Sequence, residues 1–167
     1  MKYSLNVGCG HRPMDEVNKH RCINVDIRPL QHDDLYKDRR YLFLQCDVRN
    51  LPFPDDFFEA VLASDIVEHF PISITDNLIS EWSRVLKPGG KILFRTPNLK
   101  WAAEIYLSGR NAEFVSYHIF GGQDYKENFH YVMFDKEWLE SICNKYGLTT
   151  VKYKEIHSNF ELIMRKE

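Results

Sequence analysis

The sequence predicts an α/β fold: a three-layer, doubly wound Rossmann-like sheet, mostly parallel, with an antiparallel hairpin at its C-terminal end. Three observations carry this. Five short apolar runs are bounded by turn residues, one clear helical period lies between the fourth and fifth runs, and two last runs flank a polar turn.

The five runs are Tyr3 to Val7, Cys22 to Ile27, Tyr41 to Cys46, Phe58 to Ala63 and Lys91 to Thr96. Near-continuous apolar character suits parallel strands buried on both faces. From Ser73 to Leu86, Ile74, Leu78, Trp82 and Val85 recur at helical spacing, and Lys87-Pro88-Gly89-Gly90 stops the helix. Asp135 is placed to cap a second helix through Tyr146, with Trp138, Leu139 and Ile142 on one face and Gly147 as its stop. Thr149 to Lys154 and Phe160 to Met164 read as the closing hairpin. Only a short or irregular helix fits between Gly10 and the second strand.

The 167 residues suit one domain spanning 1–167, with no repeat, low-complexity tract or linker dividing it. A formal net charge of -2, with acids and bases interspersed, lacks the basic footprint of a nucleic-acid binder. No run reaches the roughly 20 apolar residues of a membrane span. Cys9, Cys22, Cys46 and Cys143 are scattered without metal-ligand spacing, and read as reduced thiols of a cytoplasmic protein. No metal site is expected.

The motifs sit at strand ends. "LNVGCGHRP" is a strand entering a glycine turn, but Pro13 replaces the third glycine of a dinucleotide fingerprint. "INVDI" puts Asp26 at the tip of the second strand, where a carboxylate can accept from both hydroxyls of a ribose. "LQCDV" puts Asp47 at the tip of the third, and "LASDIVEHF" follows the fourth.

In order and spacing these segments, with "ISEWSRVLKPGGKILFRTPN", closely resemble the class I S-adenosylmethionine-dependent methyltransferases. "NVDIRP", "EHF" and "GGQDYKENFHYVMF" further resemble the small type 11-like methyltransferases found with polysaccharide-biosynthesis genes. The resemblance implies a seven-stranded sheet with S-adenosylmethionine across the ends of the first four strands. By position, Asn6, Gly8, Cys9 and Gly10 would face the methionine part, Asp26 and Ile27 the ribose, and Asp47 and Val48 the adenine. Ser64 would approach the sulfonium.

Methyl transfer needs a nucleophile placed in line with the methyl group, and a neutral imidazole can take its proton. His69 is the expected catalytic residue, oriented by Glu68 or Asp65. The long segment from Trp101 to Phe134 is rich in aromatics and histidines, as a lid or substrate-binding insertion would be. Tyr106, His118, His130 and Tyr131 are its expected acceptor contacts. The expected reaction is O-methylation of a saccharide or other small acceptor, against the alternative of a non-catalytic cofactor-binding module in a larger complex. Because the first strand starts at Tyr3, a lid is expected from residues 101–134, from a second copy in a homodimer, or from a partner protein.

Overall fold

The computed structural model describes residues 2–30, 34–38 and 40–167. Among these, eight strands form one mixed sheet: β1 (Tyr3–Val7), β2 (Glu16–Val17), β3 (His20–Asp26), β4 (Leu42–Gln45), β5 (Phe58–Ser64), β6 (Leu86–Pro97), β7 (Leu148–Ile156) and β8 (Asn159–Lys166). The spatial order is β4-β3-β1-β5-β6-β8-β7, with β2 beside the start of β3. β1 runs parallel between β3 and β5, so that Val7 pairs with Val25 on one side and Ala63 on the other. The chain leaves β1 toward β3 and β4, then returns to β5 on the opposite side. Such a reversal opens a crevice beyond the carboxyl ends of the strands. β8 closes the sheet antiparallel to β6 and to β7, as the two last apolar runs predict.

Side chains alternate across the strands. Leu5, Val7, Val61, Ile92, Phe94 and Leu162 share one buried core with helices α2 (Ile72–Val85) and α5 (Lys136–Asn144). Leu78, Ile79, Trp82 and Val85 form the buried stripe of α2, and Trp82 Nε1 donates to the Val48 carbonyl at 3.0 Å. Asp135 caps α5 by accepting from the Trp138 amide at 2.8 Å, as its sequence position predicts. Between β3 and β4 lies the single turn α1 (Asp34–Lys37). No helix among the described residues is long and apolar enough to cross a membrane.

Three places differ from the sequence-based reading. The interval after Gly10 is a β-hairpin, not a short helix: Asn18 and Lys19, at φ 53° and 66°, make the tight turn between β2 and β3. Two positive-φ residues in a two-residue loop match the twist of paired strands. Buried Asn6 and Asn24 hold the preceding segment to the sheet. Asn6 Nδ2 donates to the Arg12 carbonyl and to Asn24 Oδ1, which also accepts from the Met14 amide at 2.9 Å. Asn24 Nδ2 donates to the Met14 and Leu42 carbonyls.

Next, Lys87 to Gly90 end α2 as expected but already belong to β6, where pairing with β5 shifts register between Phe58 and Ala60. Last, the long segment is not a bare loop. It holds α3 (Leu99–Leu107) and α4 (Ala112–Phe120), capped by Asn98 and Asn111, which accept from the Trp101 and Phe114 amides. Ala102, Val115 and Met133 give this pair its own small apolar cluster.

Removing the Asn24 amide would orphan partly buried backbone groups of Met14 and Leu42 on two segments, each costing about 1–3 kcal/mol. Asn24→Ala should therefore lower the unfolding free energy by about 2–4 kcal/mol in urea denaturation. A loss under about 0.5 kcal/mol, the level of a neutral surface change, would show that the hairpin is held otherwise.

Candidate functional site

A cavity of about 850 Å³ lies at the carboxyl ends of β1, β3 and β5 and reaches the segment after α4. All the residues predicted for the site line it except Tyr106, which is 56% exposed on α3 and contributes nothing to its wall. Asn6, Cys9, Ile27, Val48 and Ser64 line it together with the glycine turn and the acids, and His118, His130 and Tyr131 line it from the insertion. Asn6 has its amide committed to Arg12 and Asn24, and Cys9 packs with Leu30, Tyr41 and Phe43.

Two features make the glycine turn. Gly8 and Gly10 adopt φ of 64° and 50°, where a Cβ is strained. Gly8 is also crowded, since a Cβ there would stand 2.5 Å from Ile66 Cδ1, and Ile66 follows β5. The bare turn thus admits the chain leaving β5. Gly10 then donates its amide to Asp26 Oδ2 at 2.9 Å, joining the end of β1 to the end of β3.

Asp26 is only 6% exposed. Besides Gly10, its carboxylate accepts from the Arg28 amide at 2.9 Å, from Arg28 Nε at 3.1 Å and from Arg28 Nη2 at 3.3 Å. Asp47 repeats the pattern one strand along, accepting from the Arg49 amide at 2.9 Å and from the Arg49 guanidinium, which holds its pKa below the usual carboxylate range. In both, backbone amides fix the acid while an arginine two residues on occupies its outer face. Arg28 and Arg49 are missed when the acids are read alone. The repeated Asp-x-Arg in "VDIRP" and "CDVRN" is the signal that could have found them.

At the other end of the cavity a 3-10 turn, Val67–His69, follows Ile66 and carries Glu68 and His69. Neither Asp65 nor Glu68 orients His69 by a hydrogen bond. Its Nδ1 lies 3.0 Å from the Phe129 carbonyl, while Asp65 pairs with Arg95 and accepts from Asn159. A carbonyl only accepts, so Nδ1 carries the hydrogen and Nε2 of the neutral ring keeps its lone pair. His130 is held the same way by the His118 carbonyl, at 3.1 Å, and its ring meets His69 edge to face with centroids 4.9 Å apart. Burial pushes the pKa of both rings down, and for His130 the nearby His69 adds to this.

Glu68 has 0% exposure. Its Oε2 accepts from Thr96 Oγ1 at 3.1 Å, its Oε1 has no hydrogen-bond partner, and burial pushes its pKa up to about 8. The insertion is tied to this turn through the Tyr131 amide, which donates to the Glu68 carbonyl at 2.8 Å.

Sheet order, glycine turn and paired acids define a class I S-adenosylmethionine-dependent methyltransferase fold. The chain belongs to the methyltransferase domain family, whose pattern it matches over residues 5–94, and S-adenosylmethionine is the cofactor of these enzymes. It is 30% identical over 109 residues to the ubiquinone/menaquinone biosynthesis C-methyltransferase of Vibrio parahaemolyticus, covering 63% of this chain and 40% of that protein. It is 34% identical over 97 residues to the sterol 24-C-methyltransferase of Gibberella zeae, covering 52% of this chain and 25% of that protein. The chain thus matches less than half the length of these relatives. A SAM-dependent methyltransferase from Methanosarcina mazei shares the fold with a TM-score of 0.72 at 15% identity, over 98% of this chain and 92% of that one.

Because Ile66 fills the space a Gly8 side chain would need, Gly8→Ala should cost about 2–4 kcal/mol, combining overpacking with a strained φ. In a double-mutant cycle with Ile66→Ala, part of that cost should disappear. Strict additivity in the denaturation data would mean that the two residues do not oppose each other.

Proposed function

We propose that this chain transfers the methyl group of S-adenosylmethionine to an oxygen of a small acceptor, a saccharide hydroxyl being the favoured class. One observation carries the reading: the glycine turn, the two strand-tip acids and the imidazole of His69 open onto the same cavity. Its volume of about 850 Å³ falls within the roughly 300–1,000 Å³ of small-ligand sites.

The residues fit the cofactor. Gly8 and Gly10 leave backbone exposed at the cavity wall, as close approach of a ligand requires. A carboxylate accepts about four hydrogen bonds, and the partners of Asp26 already number that many. Ribose hydroxyls would replace the two guanidinium bonds, while the amides of Gly10 and Arg28 keep the acid in place. Arg28 already lies over Tyr125, its Cζ 5.7 Å from the ring centroid, and this contact can hold the guanidinium once it releases Asp26. Asp47 and Val48 would take the adenine, and Ile27 and Ser64 the ribose and sulfonium ends.

Bound S-adenosylmethionine supplies an activated methyl group on a good leaving group. His69 receives the acceptor's proton at Nε2, held toward the cavity by its Nδ1 bond to Phe129. Residues 101–134 serve as the acceptor-binding insertion of a single domain spanning 1–167. Tyr117, Tyr125 and Tyr131, with His118 and His130, give the cavity the aromatic faces and polar tips that suit a sugar.

Titration calorimetry with S-adenosylhomocysteine should give saturable 1:1 binding, weakened about 10- to 100-fold in Asp26→Asn, the worth of hydrogen bonds to one charged group. Absence of binding to the unmodified protein overturns the reading, and binding without turnover on any hydroxyl acceptor leaves a cofactor-binding module instead. With a working acceptor, His69→Ala should lower kcat by about 10²-fold or more while changing cofactor affinity little. An unchanged kcat would remove His69 from the reaction.

A further inference from the structure

We propose that Glu68, His69 and His130 form a divalent-cation site of the two-histidine, one-carboxylate kind at the acceptor end of the cavity. It departs from the expectation, drawn from sequence spacing, that no metal is held here.

One ligand atom from each of the three residues lies within 4.8 Å of the other two. Ligands about 2.1 Å from a tetrahedral ion stand about 3.4 Å apart, so small side-chain rotations bring the three into a coordination sphere. Both rings present the correct nitrogen. Each donates Nδ1–H to a backbone carbonyl, Phe129 for His69 and His118 for His130, which fixes the tautomer and leaves Nε2 as a ligand.

Glu68 supplies an independent sign. Its Oε1 is fully buried without a hydrogen-bond partner, a condition rare in folded proteins and explained when an ion takes the place of a donor. Its other oxygen is oriented by Thr96, as ligating carboxylates are by their second partners. A cation there would give the orphaned oxygen a partner and hold the carboxyl in its ionised form.

Two imidazole nitrogens with one carboxylate favour a first-row transition ion such as Zn²⁺, Co²⁺ or Fe²⁺ over Mg²⁺ or Ca²⁺, which prefer all-oxygen spheres. Three protein ligands leave positions open toward the cavity. With Nε2 of His69 on the ion that ring no longer takes the acceptor's proton; an acceptor hydroxyl entering an open position would instead be acidified by coordination and release its proton to solvent. This consequence rests on the methyl-transfer reading, whereas the site itself does not. The ligands also come from both sides of the cavity, the turn after β5 and the insertion, so the ion would clamp the insertion in place.

The test uses the full chain, stripped with chelator and titrated with ZnCl₂, CoCl₂ and MgCl₂ separately. One Zn²⁺ or Co²⁺ per chain should bind, with Co²⁺ giving visible bands of a nitrogen-containing sphere. Affinity should fall at least 100-fold in the near-isosteric Glu68→Gln and in His130→Gln, and remain in His157→Ala, an exposed histidine of the hairpin turn that does not line the cavity. No stoichiometric binding to the unmodified protein overturns the proposal, as does binding that both site variants retain. If either variant folds poorly, the Co²⁺ spectrum of the unmodified protein decides: a water-only sphere overturns the site. S-adenosylhomocysteine binding is measured on the same stripped sample. Its loss would refute the cofactor reading, whereas its survival with no Zn²⁺ or Co²⁺ binding would refute the cation site alone.

Discussion

The contact between Ile66 and the bare Cα of Gly8 is the constraint on which both ends of the cavity depend. Parallel pairing of β1 with β3 and β5 brings three strand tips to one edge but leaves the loops beyond them free to diverge. The missing side chain at Gly8 lets the chain leaving β5 settle against the turn leaving β1. Ile66 directly precedes the 3-10 turn, so the positions of Glu68 and His69 follow from that contact. Two residues after Gly8, the Gly10 amide fixes the Asp26 carboxylate. This run of contacts links the acid that would hold a ribose to the imidazole that would meet an acceptor, alongside the bonds from Thr96, Tyr131 and Phe129 that hold the 3-10 turn.

The two acids show how one local device serves at different burial. A solvent-exposed ion pair contributes about 0–1 kcal/mol, so exchanging the Arg49 guanidinium for another donor at half-exposed Asp47 costs little. Asp26 is more enclosed, with its side chain 8% exposed against 33% for Asp47. A buried carboxylate left short of donors is penalised strongly, so Asp26 demands that an incoming ligand replace the lost bonds well. If the two acids bind the cofactor as proposed, discrimination between ligands would rest more on Asp26 than on Asp47.

Much of this was legible in the sequence because it depends on short-range pattern. Apolar runs mark β1, β3, β4, β5 and the core of β6, Asp135 caps α5 beside the first residues of its period, and Lys87 to Gly90 follow the end of α2. What failed depends on partners distant in sequence. Asn6 and Asn24 look like ordinary polar interruptions of strands until β1 and β3 pair and set their amides face to face. That pairing holds down the segment before β2 and makes a helix after Gly10 unnecessary. Asn98 and Asn111 are local helix caps from which α3 and α4 can be read, whereas the aromatic richness of the region points to an insertion without marking its helices. Composition groups Tyr106 with Tyr131, but the turn of α3 sends Tyr106 to the surface.

Glu68 is the residue whose energetics local sequence explains least. Burying a carboxyl without full hydrogen bonding costs a domain of this size a sizeable part of the roughly 5–15 kcal/mol that keeps it folded. A glutamine or methionine of similar volume would avoid ionisation there, and the neighbouring Thr96 satisfies only one oxygen. The fold also invests in the residue's surroundings: two neutral imidazoles face it, and the insertion is hydrogen-bonded to its carbonyl. Such an arrangement is poorly suited to stability alone. It is well suited to receiving a positive charge from outside the chain, which would offset the burial penalty and join the end of β5 to the segment after α4 that lines the cavity.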